Sequence, residues 1–402
     1  MKCSIIFLCF LILFSSFDCG LSLIPVKYID FESRETQRIE KCLNSEIGAV
    51  VQFNIDHDFN SETVNILNDF NLVYKDISNE TCFFVHSENN LNDLIIDNFI
   101  SSFLHSTPNS DYGFTEGIKS SEESIFGPPP IINDISEVNI IFYNFNNQSI
   151  RGYFTGNDQI DCSNYNCSNI IYINADTYLN NNIERGLFTL AHEYQHLLHW
   201  NSDVNEGNFI NNDGSWYITS PWLNEGLSDL APSILGLGQR LFSPYLDNMY
   251  LALDDWPIPS SNIDKSPYYA KSALFFQYLF EFYNTPEIPL INIIFNDDNQ
   301  GIQSLINTFY VIDMNFDEVF SQWVVKNITN EYETVDEILN VKSSLDLSLN
   351  NENNISYYNT IEDFNRYASY LISISDYGNF IIDSLEINVN NNNVQLIDRN
   401  FG

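Results

Sequence analysis

Residues 191–200 read AHEYQHLLHW, and their types and spacing are those of a metal site. His192 and His196 stand four apart, so on a helix they lie one turn apart, with about 5–6 Å between Cβ atoms. Two imidazoles so placed can converge on one ion. Glu193 points to the same side, within reach of a water beside that ion. In the pattern HExxH two histidines hold zinc and the glutamate serves as general base. The ordinary alternative is a pair of core histidines matching the pattern by chance. His199 is a poor third ligand: seven residues of helix carry it about 10.5 Å beyond His192, whereas each donor must sit about 2.1 Å from the ion.

A better third ligand lies at 220–232, SPWLNEGLSDLAP. Ser220 suits an N-cap and Pro221 the first helical position. Leu223, Leu227 and Leu230 form a buried stripe, while Glu225 and Asp229 share a face away from it. A carboxylate in so apolar a helix needs a partner, and a metal supplies one for Glu225. Asp229, one turn on, can accept a hydrogen bond from a ligating imidazole. A capped surface helix is the bland reading of this stretch alone.

These groups need two helices and a scaffold. On a helix over 187–200, Leu187, Leu190, Ala191, Tyr194, Leu197 and Leu198 fall on one face, and that face must pack on a core. Thr189, His192, Glu193, His196, His199 and Trp200 fall on the other. Ahead of it, VNIIFYNF (138–145) and NIIYINAD (169–176) read as strands, the second of them a place where a peptide could add as an extra strand. The pattern from Ile183 to about 345 is helical. Alternation at Tyr370, Ile372 and Ile374, and again at Leu385, Ile387 and Val389, predicts strands in the tail. Residues 21–125 show a helix near 33–46, strands near 49–55 and 82–86, and a helix near 91–105. FGPPP (126–130) can continue neither a helix nor a central strand, so it marks a boundary or stiff linker. The fold class expected is α+β. The divisions expected are a signal peptide (1–20), an N-terminal region or propeptide (21–130), a metal-binding domain (131–345) and a β-rich segment (346–402).

HEYQH followed by WLNEGLSD resembles the gluzincin metallopeptidases, whose NExxSD pattern is matched by Asn224, Glu225, Ser228 and Asp229. More narrowly, LAHEYQHLLHW, WLNEGLSDLA and YYAKSALFFQYLFEFY look like the hyicolysin-type secreted neutral metallopeptidases. The likeness spans roughly 138–330 and is strongest at the two zinc segments. It implies a zincin-like two-lobed fold, with a small β-sheet lobe plus the active-site helix and a mostly helical C-terminal lobe. It also implies one Zn²⁺ on His192, His196 and Glu225, Glu193 as general base, and Tyr268 or Tyr269 as oxyanion donor. The GxMEN segment of the aminopeptidase branch is missing, which favours an endopeptidase acting on protein or peptide substrates.

Composition bounds the rest. With 54 acidic and 16 basic residues the formal net charge is −38, which repels nucleic acid and anionic membranes. Such a surface attracts cationic substrates or Ca²⁺, but 296–307 fails as an EF-hand, because Asn307 stands where a bidentate Glu is required. The apolar run Ile5–Phe14 is too short to span a bilayer and reads as a signal peptide, so a secreted monomer is expected. Beyond it, Cys42, Cys82, Cys162 and Cys167 suggest two disulfides, Cys42–Cys82 and Cys162–Cys167 on proximity. Sequons at Asn79, Asn147, Asn166, Asn327 and Asn354 carry little weight in so Asn-rich a chain. An acidic adhesin or matrix-binding protein with a structural zinc is the rival reading. Structural zinc usually has four protein ligands, often cysteines, and neither is found at these segments.

Overall fold

The computed structural model describes residues 28–29, 42–55, 66–89, 91–108, 110–132, 136–145, 147, 149–160, 166–175, 182–204, 220–257, 263–297, 301–335, 339, 345–348 and 372–375. The expected signal peptide, most of the helix near 33–46, Cys162, and the alternation at 385–389 lie outside them. In chain order come β1 (Tyr28–Ile29), β2 (Val50–Ile55), β3 (Ile66–Asp76), β4 (Thr81–His86), α1 (Asp93–Leu104), α2 (Ile118–Phe126), β5 (Ile131–Ile132), β6 (Val138–Tyr143) and β7 (Gly152–Tyr153). Then follow α3 (Asn157–Ile160), β8 (Asn169–Asn174), α4 (Ile183–Val204), α5 (Pro221–Ile234), α6 (Ser243–Leu246), α7 (Ser266–Tyr283), α8 (Leu290–Phe295), α9 (Ile302–Val311) and α10 (Phe316–Thr329). β9 (Leu345–Ser348) and β10 (Ile372–Ser375) pair in parallel. The fold is mixed α+β.

Its centre is a six-stranded sheet in the order β2-β3-β4-β6-β8-β7. β2, β3 and β4 form an antiparallel meander, and β4, β6 and β8 run parallel. Successive residues of β4 serve different cores: Phe83 and Val85 face the helices, whereas Cys82 and Phe84 join Phe53, Phe70, Ile141 and Tyr172 on the other face. A strand covered on both faces loses its polar alternation, which is why β6 and β8 read as nearly continuous apolar runs, with Asn139 the one polar residue inside them. Cys82 bonds to Cys42; closing a loop of that size restricts the unfolded chain and contributes about 3–4 kcal/mol. Cys167 is also disulfide-bonded.

The Pro run does not divide this sheet. β4 lies before it and β6 after it, and the two pair from Thr81↔Val138 to Val85↔Phe142. The boundary expected at 126–130 is therefore a bend inside one structural unit. β8 also departs from expectation. It is flanked by β6 along its whole length and by β7 at Tyr172 and Ile173, and all six of its residues are buried, so a peptide added beside it would meet β7 at those two positions. Among the described residues the sheet ends at β7.

Helix α4 packs between this sheet and the later helices. Tyr194 sits edge-on to Phe103 of α1, at 5.1 Å between centroids. Gly226 lets α5 close on α7, since a Cβ there would overlap Phe276 and Ser272. Pro221 does open α5, but the Ser220 side chain makes no capping hydrogen bond. Asn166 and Asn327 are buried and hydrogen-bonded, which withdraws both sequons from the surface. No helix among the described residues is long and apolar enough to cross a membrane.

Candidate metal centre

α4 supplies His192, Glu193 and His196, and α5 supplies Glu225, Ser228 and Asp229. The two imidazole Nε2 atoms are 3.0 Å apart. Glu225 Oε2 lies 3.3 Å from that of His192 and 3.5 Å from that of His196. Among the described residues these three form the one group of donors able to hold an ion. Donors bound at about 2.0–2.2 Å in a tetrahedral site stand about 3.3–3.6 Å from each other; both Glu225 distances fall in that range and the imidazole pair is somewhat closer, so the set suits a small divalent cation. The donor chemistry, two nitrogens and a carboxylate, suits zinc.

The outer nitrogens are anchored. His192 Nδ1 lies 3.0 Å from Asp229 Oδ1, and His196 Nδ1 lies 2.9 Å from Ser228 Oγ. Asp229 is in turn held by both Arg240 Nη2, at 2.8 Å, and Arg240 Nε. Burial alone would lower the His192 pKa, but hydrogen bonds to Asp229 and Glu225 outweigh it and raise it to about 10. Burial likewise opposes ionisation of Glu225 and Asp229. For Glu225 the imidazoles win, and for Asp229 Arg240 and His192 win, so both carboxyls fall below the usual range. At neutral pH an incoming cation therefore displaces a proton from His192.

Glu193 is not part of the donor group. It lies against β7, where a Cβ on Gly152 would come 2.6 Å from Thr189 Cγ2 and 3.2 Å from Glu193 Cγ. A side chain at 152 would push the strand off the helix. Burial raises the Glu193 pKa, and the charges of His192 and His196 pull the other way. His199 is buried with its ring 5.0 Å from that of Phe295, and it is not one of the grouped donors. The structure separates the two tyrosines. Tyr269 feels the charges of Glu225, Asp229 and Glu193 and lies under Arg240 at 4.5 Å. Tyr268 responds instead to Asp255 and Tyr250. Burial raises both hydroxyls, so Tyr269 keeps its proton available for donation.

Sequence reasoning missed Arg240 and Glu122. Arg240 sits past the end of α5 with no periodicity to mark it. The available signal was scarcity, since a chain with 16 basic residues rarely spends one beside a buried acid. Glu122, on α2, is wholly buried, and neither carboxylate oxygen has a hydrogen-bond partner among the described residues. Burial raises its pKa well above the carboxylate range, against the pull of His192 and with the push of Glu123. A carboxyl whose pKa is raised by folding stabilises most at low pH, and that share is lost as pH climbs above its unfolded value near 4.5. Glu122→Leu is expected to stabilise the protein at pH 7 by about 1–3 kcal/mol, the usual cost of an unsatisfied buried polar group. Thermal melts from acid to neutral pH check this: the variant should gain most at the neutral end, and a loss there would contradict it.

No protein-family model matches the chain, and no curated protein matches its sequence.

Proposed function

We propose that the chain is a secreted, monomeric zinc-dependent endopeptidase of gluzincin type, hydrolysing peptide bonds in proteins or peptides. The observation that carries this reading is the approach of three donor atoms to within 3.0–3.5 Å of one another, with a fourth ionisable group, Glu193, beside them and outside the set. Lone pairs that close repel unless a cation or proton lies among them. Among the described residues three donors converge without a fourth, as in a catalytic site, whereas structural zinc takes four. The HEYQH and WLNEGLSD segments support the same reading through their likeness to gluzincins. On that likeness, the sheet with α4 corresponds to one zincin-like lobe and the helices from α5 onward to the other.

When bound, zinc supplies Lewis acidity to a carbonyl and to water. Glu193 takes a proton from the attacking water and delivers it to the departing amine. Its burial raises its basicity above that of a free carboxylate. Tyr269 donates to the developing oxyanion, and Arg240 holds Asp229 and the Tyr269 ring in place. β7, the end of the sheet nearest Glu193, is where an extended peptide would lie.

Metal analysis combined with casein cleavage tests the proposal. One zinc per chain is expected, with activity abolished by a chelator and restored by Zn²⁺. Full activity in metal-free protein would overturn it, and bound zinc without any cleavage would favour the adhesin reading.

A further inference from the structure

The geometry points to Ser228 as the positioning residue for His196, fixing by its hydroxyl proton which imidazole nitrogen faces the metal. This rests on the metal reading above. Ser228 is wholly buried, and its Oγ has three polar neighbours. Two of them are acceptors: the Asn224 carbonyl at 2.9 Å and Gln195 Oε1. The third is His196 Nδ1 at 2.9 Å. A hydroxyl has one proton and two lone pairs. With carbonyl oxygens on two sides, the proton goes to one of them, and a lone pair remains toward the ring. His196 Nδ1 must then carry a proton and donate it, which leaves Nε2 unprotonated and facing Glu225. The alternative tautomer would either set a lone pair of Nδ1 against a lone pair of Ser228, or turn the Ser228 proton to the ring and leave both carbonyl oxygens facing its lone pairs; either way it puts a proton where the cation belongs.

The two ligating histidines are thus held by different chemistry. His192 donates to a carboxylate paired with Arg240, whereas His196 donates to a neutral hydroxyl backed by Gln195, its own neighbour in the HEYQH segment. Gln195 is wholly buried as well, so the relay Gln195–Ser228–His196 works without solvent. An outer partner of a ligand typically contributes 10–100-fold in metal affinity, and a neutral partner should lie toward the lower end of that range.

The test uses the full-length protein with Zn²⁺ as probe. Zinc affinity is measured by competition with a chromophoric chelator for wild type and Ser228→Ala, and imidazole tautomers are read from long-range ¹H–¹⁵N spectra. Expected are a wild-type His196 protonated at Nδ1 and not at Nε2, a loss of roughly 10-fold or more in zinc affinity in Ser228→Ala, and faster exchange of the Nδ1 proton. Equal affinity and an unchanged Nδ1 signal in a folded Ser228→Ala would overturn the inference and leave the metal reading standing. A wild type that binds no zinc would overturn both. Should Ser228→Ala not fold, the wild-type spectrum decides alone: His196 protonated at Nε2 overturns the inference.

Discussion

Glu193→Gln is expected to retain its zinc and to lose about 10²–10⁴-fold in peptide-bond turnover, the range contributed by a positioned general base. Gln matches Glu in shape, so its packing beside Gly152 of β7 and its acceptance of the Phe154 backbone N–H survive. The carboxamide cannot accept the proton of water at any working pH. Glu193 also stands outside the group formed by His192, His196 and Glu225, so removing its charge takes no ligand from the ion. Zinc content measured beside casein turnover checks both halves. A variant that loses its zinc would make Glu193 a ligand and undo the division of roles.

Glu225→Ala should cost more zinc affinity than any outer partner does, beyond the roughly 10–100-fold expected for Asp229→Ala, whereas His199→Ala should leave zinc stoichiometry unchanged. Removing Glu225 leaves two imidazole nitrogens 3.0 Å apart and takes the one anionic donor from the group. Removing His199 takes away a ring packed on Phe295 and costs stability instead. Dialysis against a zinc buffer, followed by metal analysis, ranks the three variants. Zinc kept by Glu225→Ala but lost from His199→Ala would replace the His-His-Glu set with three histidines.

The candidate site was more legible than the fold around it. Spacing on two helices brought His192, His196, Glu225 and Asp229 together because each helix sets its own side-chain directions. The same reasoning kept His199 out. It left Tyr268 and Tyr269 undecided, since neighbours on a helix point to different sides and only the packing of α7 tells which faces the site. β6 and β8 read as nearly continuous apolar runs, but β3, the longest of the described strands, does not. Its sequence ILNDFNLVYKD places Asn and Asp among the apolar residues, and pairing on both sides overrides their poor strand propensity. Three prolines forbid regular structure locally, which in sequence reads equally as a boundary or a stiff linker. Local chain direction says nothing of which strands later meet across the bend. β7, only two residues long, leaves almost no mark in sequence, so β8 reads there as a strand with an open edge.

The parallel pairing of β4 with β6 sets a timetable for biosynthesis. The β2-β3-β4 meander can form as soon as it emerges, yet one long edge of β4 stays unpaired until Val138–Tyr143 is made. At about 5–20 residues per second the intervening chain takes roughly 3–10 s to appear. During that interval Cys82, Phe83, Phe84 and Val85 offer open backbone and bare apolar side chains to any neighbouring nascent chain. The meander therefore waits on its parallel partner with one edge open to aggregation while the protein is being translated.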